Sequence, residues 1–173
     1  MKPKYIKLFE DHGSNLRKLA RLGLVDPDMQ KVLDYMAGSR KGDLMLRGSG
    51  LTSLPDGLQV GGSLMINKSS IRELPAGLQV GDFLSIDDTP IEHLPADLRV
   101  GGSISASGSG LRSLPDDLTV NGSLWISDTP LEHLPKGLTV KGDLSMYGTR
   151  VTALPADLKV GREIMGFRGH ETP

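Results

Sequence analysis

The chain contains no cysteine among its 173 residues. That excludes disulfides, thiolate metal sites and cysteine nucleophiles, and it suits a reducing compartment. Aromatic side chains are scarce: one Trp, three Tyr and three Phe. Excess charge of either sign is lacking as well. The formal net charge is −1, which supplies no global attraction to nucleic acid or to a membrane surface. No apolar run approaches the length needed to cross a bilayer. The opening MKPKYIKLFEDHGSN has no apolar stretch of signal-peptide type. These absences together lead us to expect a soluble, cytoplasmic protein without cofactor or metal. No nucleic-acid or membrane partner is expected.

What is abundant is repetition. Beginning at Leu51, six blocks of twenty residues align without a gap, from LTSLPDGLQVGGSLMINKSS to VTALPADLKVGREIMGFRGH, and a half block, KGDLMLRGSG, precedes them. The shared pattern is L-x-x-L-P-x-x-L-x-V-x-G-x-L-x-I-x-x-[T/S]-x. A fixed period of this length marks a solenoid, in which each turn buries its apolar face only against its neighbours. Within a turn, the alternation around Leu64 and Ile66 predicts a half-buried strand with those two residues inward. Its equivalents centre on Leu44/Leu46, Leu84/Ile86, Ile104/Ala106, Leu124/Ile126 and Leu144/Met146. Stacking makes them a parallel sheet. Leu before Pro is pushed to extended geometry, so LPxxLxV is expected to be a return arm with Leu74, Leu78 and Val80 inward. The glycines before the strands (Gly42, Gly62, Gly102, Gly122, Gly142) are expected to supply a positive φ or close packing on the next turn.

These motifs resemble the short bacterial leucine-rich repeat, and LPxxLxVGGSL with the KYIKLFE start is similar to repeat proteins of tailed phages and bacteria. The resemblance spans roughly residues 43–165. It implies a curved parallel solenoid that binds proteins, although the extra Val-x-Gly leaves a straighter coil open. Where the family carries an asparagine ladder, this chain has Ser49, Ser69, Thr89, Ser109, Thr129 and Thr149. A hydroxyl can build a similar ladder with shorter reach.

The fold class expected is therefore an α+β repeat protein: a parallel β-solenoid of leucine-rich-repeat type with a small N-terminal helical cap. Residues 1–42 form the cap, 43–167 the solenoid and 168–173 a tail. Ser14 or Asn15 is positioned to cap a first helix reaching Leu22. Asp26-Pro27 opens a second, with Met29, Val32, Leu33 and Met36 on one face and Gly38 as its stop. Residues 1–42 hold nine Lys/Arg against five Asp/Glu, so Arg17, Lys18 and Arg21 offer an alternative role as a basic contact patch. Gly166 stands at a core strand position, which predicts a frayed or poorly capped end over 161–173.

Chemistry has few places to reside. His93 and His133 lie two turns apart, about 9–10 Å on the strand-spacing rule, whereas zinc ligands stand about 2.0–2.1 Å from the metal. No phosphate-cradling loop, zinc-protease motif or nucleophile elbow occurs. Arg72, Glu92, Arg112 and Glu132 stack into a column of alternating charge, which explains why TPIEHLP returns forty residues later as TPLEHLP. Four aromatics, Phe83, Trp125, Tyr147 and Phe167, fall at outward strand positions, and Met45, Met65 and Met165 share the Trp125 column. Large aromatics without a core duty are the side chains from which protein-binding sites are most often built. The residues expected to bind a protein partner are Trp125, Tyr147, Met165, Phe167, Phe83 and Met65, with no catalytic residues and no metal ligands. The function expected is a non-enzymatic binding module, phage-encoded and acting on a host protein in the host cytoplasm as inhibitor or adaptor. A structural or virion component, self-assembling through the C-terminal end, is the alternative. A fragment of an effector enzyme fits less well, because the ligase domain of such effectors uses a cysteine.

Overall fold

A computed structural model describes residues 25–38 and 41–169. The first expected helix and its basic residues lie outside them. Helix α1, Pro27–Met36, begins where the sequence places it: the Asp26 carboxylate accepts from the Asp28 N–H at 2.8 Å and the Met29 N–H at 3.3 Å, with Pro27 at the first position. Gly38, at φ +71°, follows its end. The Lys31 ammonium, hydrogen-bonded at 2.6 Å, holds the Asp28 carboxyl below its ordinary range. Val32, Leu33 and Tyr35 are buried. The Tyr35 hydroxyl donates to the Gly42 carbonyl and accepts from the Gly61 N–H, which ties the helix to the first turn.

The repeats form a parallel β-solenoid of about six turns, with this helix at the N-terminal side. We number the turns 1 to 6 from Leu51, twenty residues each. Thirteen strands of two residues line two sides of the coil. One side is a continuous seven-stranded parallel sheet of β1 (Leu44–Met45), β3 (Leu64–Met65), β5 (Leu84–Ser85), β7 (Ile104–Ser105), β9 (Leu124–Trp125), β11 (Leu144–Ser145) and β13 (Ile164–Met165). Every pair is offset by one period, as in Leu64↔Leu84 and Ile104↔Leu124. The expected return arms carry strands of their own: β2 (Gln59–Val60), β4 (Gln79–Val80), β6 (Arg99–Val100), β8 (Thr119–Val120), β10 (Thr139–Val140) and β12 (Lys159–Val160). Between the two sides run columns of fully buried aliphatics such as Leu64, Leu84 and Leu124, Ile66, Ile86 and Ile126, and Ile71, Ile91, Leu111 and Leu131. One narrow cross-section recurs at each turn, so one side-chain size recurs with it.

One local expectation narrows and two change. Of the glycines before the strands only Gly42 has a positive φ; a Cβ on Gly102 would stand 2.8 Å from the Asp82 carbonyl oxygen, so closeness to the turn below is what requires glycine there. The left-handed residue follows each strand instead, at Gly48, Lys68, Asp88, Gly108, Asp128 and Gly148. The hydroxyls at the family's asparagine position do not link turns: Thr89, Ser109 and Thr129 each donate to a carbonyl of their own turn, at 2.6, 2.6 and 2.8 Å. A ladder of side-chain links between turns lies before the strands instead. Asp43, Ser103 and Ser123 accept from the N–H of Ser63, Ser123 and Asp143 at 2.8, 2.9 and 3.0 Å. Residues 161–165 are not frayed, since β13 pairs in register with β11, but the end is thinly covered: Ile164 and Met165 are half-buried where Leu144 and Ser145 are buried.

The return-arm side is interrupted once. Strands β2, β4 and β6 form one three-stranded sheet and β8, β10 and β12 another, and β6 does not pair with β8. The break follows a change of turn chemistry. Gly57, Gly77, Asp117 and Gly137 have positive φ, whereas Asp97 and Asp157 do not. In turns 3 and 6 the Leu98 and Leu158 N–H instead close on Pro95 and Pro155, each at 3.1 Å. The Asp97 and Asp157 carboxylates then accept from the Gly77 and Gly137 N–H below, each at 2.8 Å. A three-turn unit is thus used twice.

Candidate functional site: the strand face

The seven-stranded sheet places one residue of each strand toward solvent. Along the Trp125 column these are Met45, Met65, Ser85, Ser105, Trp125, Ser145 and Met165, and their exposure is uneven. Met45 is 53% exposed, whereas Met65, Trp125 and Met165 are half-buried and Ser85 and Ser145 are buried. Small serines flank Trp125 in register on both sides, which leaves its indole room to lie down on the sheet. It meets the Phe83 ring edge-on, with centroids 6.4 Å apart and planes at 71°. Phe83 belongs to turn 2 and Trp125 to turn 4, so the pair bridges turn 3. Trp125 therefore has a packing partner that the repeat pattern did not reveal.

Tyr147 stands apart, 55% exposed on the turn after Trp125. Phe167 departs from its expected outward position. It lies beyond β13, after Gly166 at φ +79°, and packs half-buried against the core. A Cβ at Gly166 would stand 2.4 Å from the Tyr147 nitrogen, so this crossing needs glycine. Met45 is the exposed apolar residue that the site prediction omitted; its place in the Trp125 column was the available signal.

The middle of the face is polar and closed on itself. The Asp87 carboxylate accepts from the Ser85 hydroxyl at 2.8 Å, the Ser105 hydroxyl at 2.5 Å and the Ser107 N–H at 2.8 Å. The Ser127 and Ser145 hydroxyls stand 3.0 Å apart. Beside these engaged groups the face offers a partner the Phe83–Trp125 pair, Tyr147 and the methionines at the two ends, with Arg47 exposed at the N-terminal end.

The charge column is only half realised. Glu92 meets Arg112 at 3.6 Å, but Glu132 turns to Arg150 at 3.6 Å, all four side chains being more than half exposed. His93 binds the Ser113 hydroxyl at 2.7 Å. Among the described residues no cluster of three His, Asp or Glu side chains could hold a metal ion. None of the described helices is long and apolar enough to cross a membrane. A cleft of about 650 Å³ lies on the opposite side of the coil, where Arg99, Val100, Leu118, Thr119 and Asn121 border the break between β6 and β8. No protein-family model matches the chain, and no curated protein is significantly similar to it.

Proposed function

We propose that the chain is a non-enzymatic protein-binding solenoid of the leucine-rich-repeat kind, similar to the repeat proteins of phages and bacteria, that holds a host protein in the host cytoplasm as an inhibitor or adaptor. One observation carries this reading: inward strand positions are filled by aliphatic residues and Met146, while the strand face bears Tyr147 more than half exposed and, separately, a Phe83–Trp125 pair. Large rigid aromatics give contact area at low entropic cost, and binding hot spots are built from them. Met65 and Met165 extend the apolar area, and Phe167 braces the end of the face from beneath.

The test is affinity capture from host lysate followed by titration of the captured protein. Tyr147→Ala and Trp125→Ala are each expected to weaken binding by at least about 2 kcal/mol, roughly thirtyfold, with circular dichroism unchanged. Parent-like affinity in both variants would remove the strand face as the site. A second reading, self-association through the C-terminal turn, draws on the half-burial of Leu154, Leu158 and Ile164, whose equivalents Leu134, Leu138 and Leu144 are buried. Sedimentation at rising protein concentration separates the two.

A further inference from the structure

We infer that the step between turns 3 and 4 is a hinge, and that closing its gap on the return-arm side spreads the Phe83–Trp125 pair on the strand side. At the other return-arm steps, backbone bonds draw successive turns together. Gln79 and Gly81 donate to Leu58 and Val60 at 3.1 and 2.8 Å, and Thr139 and Lys141 donate to Leu118 and Val120 at 2.9 and 3.0 Å. The corresponding Thr119 and Asn121 N–H groups find no carbonyl on turn 3. Between the two strands only the Asn121 side-chain amide reaches across, donating to the Val100 carbonyl at 3.4 Å. Backbone bonds resume at the margins, where the Glu92 and Gly102 carbonyls accept from the Arg112 and Gly122 N–H at 2.8 and 3.0 Å. Leu98, beside the gap, is half-buried where Leu58, Leu78 and Leu138 are fully buried.

On the strand side the same step is closed. Ile104 pairs with Leu124, and the Ala106 N–H donates to the Trp125 carbonyl at 2.8 Å. A repeat array is held by neighbour-to-neighbour terms, so a step whose return-arm strands do not pair bends most readily on that side. The bonded strand side is the fulcrum and the open return-arm side the free edge. The Phe83–Trp125 pair crosses this step above the fulcrum, so drawing the free edge together tilts turn 4 and moves the rings apart. A role for those rings in binding rests on the function proposed above; the hinge itself does not.

Both tests use the protein alone. Amide exchange of Thr119 and Asn121 is expected to run on the order of a hundredfold faster than that of Thr139 and Lys141. Because the chain has no cysteine, the pair Arg99→Cys/Thr119→Cys can lock the gap shut, with Thr119→Cys/Thr139→Cys as control across a closed step. Neighbouring strands about 4.8 Å apart fall within the Cα separation a disulfide accepts. Oxidising the first pair is expected to shift the emission of Trp125, the sole tryptophan, to the red as its ring leaves Phe83; oxidising the control pair is not. Equal exchange rates overturn the hinge. So does a first pair that fails to oxidise where the control succeeds, or an emission spectrum that both locks change alike or neither changes.

Discussion

The two sides of this solenoid are built from the same twenty-residue period, yet one is continuous and the other is broken. On the strand side, inward positions hold Leu, Ile, Ala or Met at every turn through turn 5, and all seven strands pair. On the return-arm side the inward Leu and Val recur as faithfully, but the ladder stops between Val100 and Val120. Hydrophobic pattern therefore decides which residues face inward on both sides. The ladder stops on the far side of turn 3, where Asp97 takes a different backbone conformation from Gly77 and Asp117.

The largest effect that would sharpen this contrast is in the core. Leu124→Ala, on the strand side, is expected to cost about 2–5 kcal/mol, because a neighbouring turn on each side prevents the void from collapsing. Leu98→Ala, beside the gap, should cost no more than about 1–2 kcal/mol, since its side chain already keeps part of its contact with water. Equal losses in denaturant titrations would mean that the gap is closed in solution.

A smaller effect is expected where the arms do meet. A Cβ on Gly81 would stand 2.1 Å from the Gly61 carbonyl oxygen. Gly81→Ala should therefore push turn 2 off turn 1 and cost about 1–3 kcal/mol. If the variant melts with the parent, the return-arm ladder of turns 1–3 contributes little, and the two sides differ less than their bonding suggests.

The smallest effect belongs to the charge column at the edge between the sides. Glu92→Lys replaces an attraction to Arg112 at 3.6 Å with a repulsion. Both groups are more than half exposed, so the loss should stay within about 1 kcal/mol and shrink as salt is raised. A loss independent of salt would assign the column's effect to packing.

Much of the strand side was legible in the residues. Leu64, Ile66, Leu84 and Ile86 were placed inward from alternation alone and are fully buried, because a period-two pattern on a half-buried strand allows one orientation. The helix at Asp26-Pro27 was legible for a similar reason: capping chemistry is local, and its donors and acceptor lie within three residues. The Phe83–Trp125 contact was not, since it depends on two small serines in the turn between giving both rings room. Phe167 was misplaced because the positive φ of Gly166 redirects the chain after β13, and a strand pattern does not report where its own strand stops.

The forty-residue echo in TPIEHLP and TPLEHLP has a further physical side. Asp88 and Asp128 occupy left-handed positions whose equivalents one turn later are Gly108 and Gly148, and a Cβ on either glycine would lie within 2.5 Å of the aspartate carboxylate below. Like phrases two turns apart let a carboxylate lean over a glycine in the turn between.

By itself the sequence determined the period, the inward columns, the parallel register and the start of the helix. Each of these depends on a residue's own chemistry repeated at fixed spacing, so no knowledge of the neighbouring turn is needed. Tertiary structure alone decided the sixty-residue grouping of the return arms, the aromatic pair across turn 3, the seat of Phe167 and the half-formed charge column. Those depend on how closely one turn settles on the next, a distance set by carbonyl oxygens, glycine gaps and small side chains that belong to two turns at once.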